Sequence, residues 1–299
     1  MKNVKIDFIG VGAPRCGTTW IAECLMEHPE ICFPYTKELN FFSKTRANNT
    51  KSEYEISGIE GYYKLFENCD GEKKKGEFST YYMIDKNAAE IIKKHFPEIK
   101  IIIALRNPVD RAFSDYKNVK YIHLKEKDDF ETAFFKFDKG LDSYSERGKY
   151  YLQLKKYFEN FPKKNIKIII LEDVEKNPEK ILKELYEFLE VDNLFVPSII
   201  NKKSNESKAV EAKTEKKFAN WLSKIYRNLE WGFLGRILTG IKRKTKINEI
   251  LWKKTRESEQ KEIEEKLNPG LRERILEYYL DDIKKTEKLL GRKFEEWKI

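Results

Sequence analysis

The stretch Gly12-Ala13-Pro14-Arg15-Cys16-Gly17-Thr18-Thr19 has two glycines with four residues between them, the spacing of a loop whose backbone N–H groups face a phosphate. An apolar run, Lys5 to Val11, precedes it, and Thr18 to Glu27 reads as a helix that His28-Pro29 ends. A strand, a glycine loop and a helix N-terminus in that order would present an anion site. Thr18 stands where a nucleotide-hydrolysing loop carries the lysine that reaches the β- and γ-phosphates. That argues against a ligand with a γ-phosphate, and the cation of this loop is Arg15 instead. A dinucleotide fingerprint also fails, because Arg15 occupies the place of its third glycine. The plain alternative is a tight strand–helix turn with no ligand.

A second set of residues follows another apolar run. Leu105-Arg106-Asn107-Pro108-Val109-Asp110-Arg111-Ala112-Phe113-Ser114-Asp115-Tyr116 puts a guanidinium at a strand end, where it can fork onto phosphate oxygens. Ser114, one to two turns into the next helix, would add a hydroxyl. Arg111 would either do similar work or pair with Asp110 or Asp115.

Together, in this order and on these elements, GAPRCGTTW and the Leu105–Tyr116 stretch resemble two segments of one enzyme family. They are the 5′-phosphosulfate loop and the 3′-phosphate segment of sulfotransferases that use 3′-phosphoadenosine-5′-phosphosulfate (PAPS). The resemblance covers residues 5 to 195, and Gly291-Arg292-Lys293-Phe294-Glu295-Glu296-Trp297 looks like the short tail of bacterial members. It implies an α/β fold of P-loop type, with three layers and a central parallel sheet flanked by helices. It implies in-line transfer of a sulfuryl group from PAPS to a hydroxyl or amine, with no metal. Arg15 replaces the lysine of many relatives and would act on the bridging oxygen and the 5′-phosphate. An arginine cannot donate its proton, so that role is electrostatic. Cys16, Gly17, Thr18, Thr19 and Trp20 complete the loop around the 5′-phosphosulfate, and Arg106 and Ser114 would hold the 3′-phosphate.

For the base, Lys37-Glu38-Leu39-Asn40-Phe41-Phe42 resembles the KE-x-x-FF segment of carbohydrate sulfotransferases, which implies that Glu38 takes the acceptor proton. The alternative is a surface glutamate paired with Lys37 or Lys44. A histidine base is the rival; His95 and His123 lack a matching context, and His28 reads as a helix cap near the negative end of the dipole. Gly76-Glu77-Phe78-Ser79-Thr80-Tyr81-Tyr82 resembles the family's cleft-lining strand. There Glu77 would orient basic loop residues and Thr80 or Tyr81 would touch the acceptor, or the segment is simply a sheet edge. Lys202, Lys203 and Lys208 fall where relatives close a loop over the nucleotide.

The elements that must position these groups are legible as patterns. Apolar strands are expected at Lys5–Val11, Lys100–Leu105 and Ile166–Leu171, and a short strand running into a loop at Gly76–Tyr82. Helices are expected at Lys51–Asp70, Lys86–Phe96, Val109–Asn118, Lys149–Phe161, Glu179–Leu189 and Leu271–Leu290. Strands alternating with helices give a parallel sheet covered on both faces. One domain is expected, with an α/β nucleotide-binding core over 1–196. Residues 197–299 then form a basic, mainly helical lid and C-terminal helix with no clear strand.

Of 299 residues, 40% are hydrophobic and 13% aromatic, which suits a packed core. The net charge of +9 is concentrated, since residues 201–256 hold 16 Lys and Arg against 5 Asp and Glu. That segment fits an acidic ligand, an anionic membrane surface or a plain solvated lysine face. Trp221 to Lys246 mixes aromatic, aliphatic and cationic residues. It reads as a lid over the acceptor cleft or, in the second reading, as an interfacial segment meeting a lipid-linked acceptor. Four scattered cysteines without a CxxC pair, read as unpaired thiols, and an N-terminus unlike a signal peptide point to the cytoplasm. They also argue against a zinc site. Two rival functions stay open. A P-loop small-molecule kinase would use Glu172-Asp173 as a Walker-B end, and a nucleic-acid binder would use the charge but lacks a reader motif. The acceptor, whether small molecule, carbohydrate or lipid-linked, leaves no mark.

Overall fold

In a computed structural model of the chain, five strands pair in parallel in the order β2-β3-β1-β4-β5. They are β1 (Phe8–Gly12), β2 (Ile31–Cys32), β3 (Lys74–Phe78), β4 (Lys100–Leu105) and β5 (Ile166–Ile170). The structure describes residues 4–34, 37–44, 51–67, 69, 71, 73–123, 125–136, 143–201, 208–210, 260–262 and 265–298. The readings of Trp221–Lys246 and of Lys202 and Lys203 lie outside these.

Every residue of β1 is buried, as a central parallel strand requires, so helices must cover both faces of the sheet. Gly10 has no side chain because the Phe78 ring of β3 occupies the space; a Cβ there would sit 2.3 Å from it. The connecting helices are α1 (Thr18–Glu27), α2 (Glu53–Lys64), α3 (Ala88–His95), α4 (Pro108–Lys117), α5 (Phe130–Phe135), α6 (Tyr150–Asn160), α7 (Leu171–Lys176) and α8 (Pro178–Leu189). A long helix, α9 (Pro269–Leu290), packs on α4 and α6, and α3 packs on α6. Elsewhere Tyr186 of α8 reaches α1, its hydroxyl 3.4 Å from the Cys24 carbonyl. The expected α/β three-layer arrangement is the one observed.

From β1 the chain winds to β2 and β3 on one side, then crosses over β1 to β4 and β5 on the other. Ligands of open α/β sheets bind beyond the carboxyl ends of the strands at such a reversal. The reversal here lies at β1, the strand that carries the glycine loop.

Three expectations need correction. Cys32 and Cys69 are disulfide-bonded, with Cα atoms 5.7 Å apart; only Cys16 and Cys24 are free, and both are buried. The pairing arises because β2 lies beside β3 and the chain leaving α2 returns there, a nonlocal closeness that cysteine spacing does not encode. The argument from unpaired thiols to a reducing compartment loses its ground. Second, the helix expected over Lys51–Asp70 is shorter: Ser52 and Glu55 form a capping box at its start, and it stops at Lys64. Third, the C-terminal region does contain strands. β6 (Lys208–Val210) and β7 (Gln260–Glu262) pair antiparallel, each too short to display a period of two.

The C-terminal tail is structural. Gly291 closes α9 in the left-handed region. Phe294 and Trp297 stack with ring centres 4.0 Å apart, and Trp297 is fully buried. Asn107 Nδ2 at the head of α4 donates to the Trp297 carbonyl at 3.3 Å. Trp297→Ala should therefore cost about 3–5 kcal/mol of stability. Urea unfolding checks this; an unchanged midpoint would show that the tail does not belong to the core.

Candidate active site

The glycine loop leaves β1 at Gly12, and the Ala13 N–H donates to the Ala104 carbonyl of β4 at 2.7 Å. Gly17 stands at the N-cap of α1 with φ 78°; a Cβ there would meet Leu171 at 2.7 Å. No side chain caps α1, so the first-turn N–H groups of Thr18, Thr19 and Trp20 have no partner from a capping side chain. Thr18 and Trp20 are buried and Thr19 is half-buried. The Cys16 thiol lies 3.7 Å from the Tyr150 hydroxyl, and burial pushes it up to about 12. Cys16 therefore stays neutral and offers the site its backbone.

The second segment meets the first. Arg15 Nε donates to Ser114 Oγ at 3.2 Å. Arg106 leaves the end of β4 half-buried, and among the described residues its guanidinium makes no hydrogen bond or ion pair. Burial and the like charges of Arg106 and Arg111 pull Arg15 below its usual value against the opposing pull of Asp115. The head of α4, unlike that of α1, is closed: Asn107 Oδ1 accepts from Val109 and Asp110. An anion here must use side chains rather than the helix end.

Sequence reasoning missed two members of this group. Lys117 sits three residues beyond Ser114, on the same face of α4. It is half-buried, lies 4.9 Å over the Phe113 ring, and is pulled down by burial and then by Arg106 and Arg15. The i,i+3 spacing was the available signal. Tyr150 of α6 donates to the Arg106 carbonyl at 2.9 Å while touching Cys16, so one phenol ties both anion-facing turns together.

Other candidates have different duties. Arg111 is fully buried and pairs with Asp115 at 3.2 Å, while Asp110 pairs with Arg272 of α9 at 2.6 Å. Arg147 also pairs with Asp115 at 3.1 Å. Glu172 Oε1 accepts the Asn107 N–H at 2.7 Å, and Asp173 pairs with Arg292 of the tail. Both carboxylates that imitate a Walker-B end are thus committed to holding β4, α4 and the tail. Among the described residues no group of three or more His, Cys, Asp or Glu lies in metal-binding geometry.

Glu38 lies on the loop that runs beside the end of β3. Its N–H donates to the Phe78 carbonyl at 3.0 Å, and Phe78 is the partner of Gly10 in β1. The loop therefore stands at the carboxyl end of the sheet, next to the glycine cradle. Glu38 is about a quarter exposed and pairs with Lys37 at 2.9 Å, whereas Lys44 pairs with Glu55. The histidines lie elsewhere. His95 bonds Tyr54 at 2.8 Å and neighbours the starts of β1 and β4, the far end of the sheet. His28 caps α1 and bonds the Asp192 carbonyl at 2.9 Å; His123 is exposed. Glu77 does not orient basic residues: it is fully buried and accepts hydrogen bonds from Tyr62, Ser79 and Tyr82. Tyr81 is half-buried beneath the Arg147 guanidinium, 5.3 Å from its ring centre.

The sequence profile of a family described as "Sulfotransferase domain" matches residues 5–286. The membrane-associated sulfotransferase kil1 of Dictyostelium discoideum is 30% identical over 132 residues, 43% of this chain and 26% of that protein. The bifunctional heparan sulfate N-deacetylase/N-sulfotransferase 1 of Caenorhabditis briggsae is 26% identical over 208 residues, 64% of this chain and 23% of that protein. The matches thus span about a quarter of the length of these two relatives. The crystal structure of a sulfotransferase from Alicyclobacillus acidocaldarius superimposes with a TM-score of 0.71 at 23% identity, covering 99% of this chain and 100% of that one. It has the same fold.

Asp115 between Arg111 and Arg147 makes a test of the scaffold. Burial alone would raise its carboxyl; Arg147 and Arg111, with Arg15 behind them, outweigh burial and hold it below the usual range. Removing it strands buried guanidinium groups, so Asp115→Ala should cost about 3–5 kcal/mol at neutral pH. Because the folded value is depressed, the contribution is full above the unfolded value of about 3.9. It is lost as pH falls through the folded value. Urea melts of both proteins across that range check it; a gap that does not shrink in acid would contradict the pairing.

Proposed function

Because the chain belongs to the sulfotransferase domain family, we propose that it moves a sulfuryl group from PAPS to a hydroxyl or amine of an acceptor. The observation that carries this reading is the meeting of two anion-facing turns, with Arg15 Nε 3.2 Å from Ser114 Oγ and Arg106 unpaired among the described residues. The donor set fits a nucleotide with phosphates at two separate places. The cradle Cys16–Trp20 with Arg15 takes the 5′ side, and Arg106, Ser114 and Lys117 take the 3′-phosphate. A lone γ-phosphate chain would need the lysine that Thr18 replaces.

Bound PAPS supplies the activated sulfuryl group and a bisphosphate leaving group. Arg15, always charged, stabilises charge that gathers on the leaving side. The N–H groups of Gly17, Thr18 and Thr19 hold the 5′-phosphosulfate. Glu38, paired with Lys37 at 2.9 Å, accepts the acceptor's proton. The acceptor class we favour is a carbohydrate hydroxyl or amine. A heparan sulfate enzyme among the relatives supports that class. The membrane-associated relative supports contact of the basic segment 201–256 with an anionic membrane, and flotation with anionic vesicles tests it.

Calorimetric titration with 3′-phosphoadenosine-5′-phosphate (PAP), beside ATP and 5′-AMP without added metal, tests the donor site. PAP should bind best, and Arg106→Ala should weaken it about 10–100-fold, the worth of a charged hydrogen bond. ATP binding as well as PAP would favour the kinase reading. In PAPS turnover with N-desulfated heparin and N-acetylglucosamine oligosaccharides as acceptor probes, Glu38→Ala should leave PAP affinity unchanged. It should cut kcat at least about 100-fold; intact turnover would remove Glu38 as the base.

A further inference from the structure

We propose that Glu77 is a positioning residue that fixes the Glu38 loop through two hydroxyl relays. The idea that the loop carries the base rests on the reading above; the hold of Glu77 on the loop does not.

Glu77 lies in β3 opposite Ile9 of β1, in the middle of the sheet, and is fully buried. A strand packed on both sides ordinarily takes an apolar residue there. Among the described residues no cation pairs with it. Its partners are hydroxyls. The Tyr82 hydroxyl donates to it at 2.8 Å, Tyr62 at 3.0 Å, and Ser79 also donates. Burial pushes the carboxyl up to about 7 despite these bonds.

Two of the donors face the loop with their other lone pair. Ser79 Oγ accepts the Asn40 N–H at 2.9 Å, and Tyr82 Oη accepts the Phe41 N–H at 2.8 Å. Two consecutive loop amides thus refer back to one carboxylate. The loop needs such a hold. Glu38 and Asn40 have φ values of 64° and 49°, in the left-handed region that side-chain-bearing residues keep only where their surroundings over-determine them. The loop's far end is fastened separately, by Asp85 accepting from Ser43 and the Lys44 N–H. The simpler role for Glu77 is to anchor α2 through Tyr62, without consequence for the loop.

Site-resolved amide hydrogen exchange on the full chain separates the two. Gln at 77 keeps the shape, but its NH2 donates toward hydroxyls that already donate, leaving a hydroxyl hydrogen without an acceptor. In Glu77→Gln the amides of Asn40 and Phe41 should exchange at least tenfold faster. The Lys44 amide and those of β4 should stay as in the parent protein, and PAP affinity should remain within twofold. With N-desulfated heparin as acceptor, kcat should fall at least tenfold and KM for PAPS stay within twofold. Should Glu77→Gln fail to fold, Tyr82→Phe removes one relay and should speed the Phe41 amide alone. Unchanged loop exchange in the folded variants, or loosening spread evenly over the sheet, would overturn the proposal. Failure of the sulfotransferase reading would appear differently, as an unmodified protein that does not bind PAP.

Discussion

Parallel pairing of β1 with β4 is the constraint on which the rest of the molecule turns. It brings the end of each strand, and therefore Arg15 and Arg106, to one place. Burial first, and then the repulsion of like charges so arranged, depresses Arg15 and Lys117. The scaffold tolerates this because other contacts fix the backbone on both sides. Ala13 bonds Ala104 across the pair, and Tyr150 ties both turns together. Glu172 and the tail hold the head of α4. Among the described residues, Arg15, Arg106 and Lys117 are left without an ion pair of their own.

The acidic side chains nearby make the same point by contrast. Asp115, Asp110, Glu172 and Asp173 each have a structural partner in α4, α9 or the tail. Their negative charge is spent on Arg111, Arg272, Arg292 and a helix end rather than on Arg106. A protein that buries Arg111 beside Arg15 needs Asp115 between them, since an uncompensated buried guanidinium is far costlier than a paired one.

Much of this was legible in the sequence, for local reasons. A continuous apolar run marks β4 to the residue, and an Asn-Pro break marks the start of α4 to within one. The two glycines mark the cradle. What escaped depends on contacts between distant segments. β2 has two residues and no pattern of its own, so the Cys32–Cys69 bond beside it was invisible. Glu77 stands in one motif with Ser79 and Tyr82, yet Tyr62 and the loop amides of Asn40 and Phe41 come from segments that only the fold brings to it. Lys117 is the exception: its spacing from Ser114 was in plain view, but a lysine at a helix end reads first as a dipole partner.

The central claim is that one nucleotide bridges the cradle and the β4–α4 turn. A crystal structure of the chain with bound PAP tests it most directly. The account predicts the 5′-phosphate on the amides of Gly17–Thr19 with Arg15 beside it, and the 3′-phosphate within hydrogen-bond distance of Arg106 and Ser114. A nucleotide that engages the cradle but turns its 3′-phosphate to solvent, away from Arg106, would contradict it.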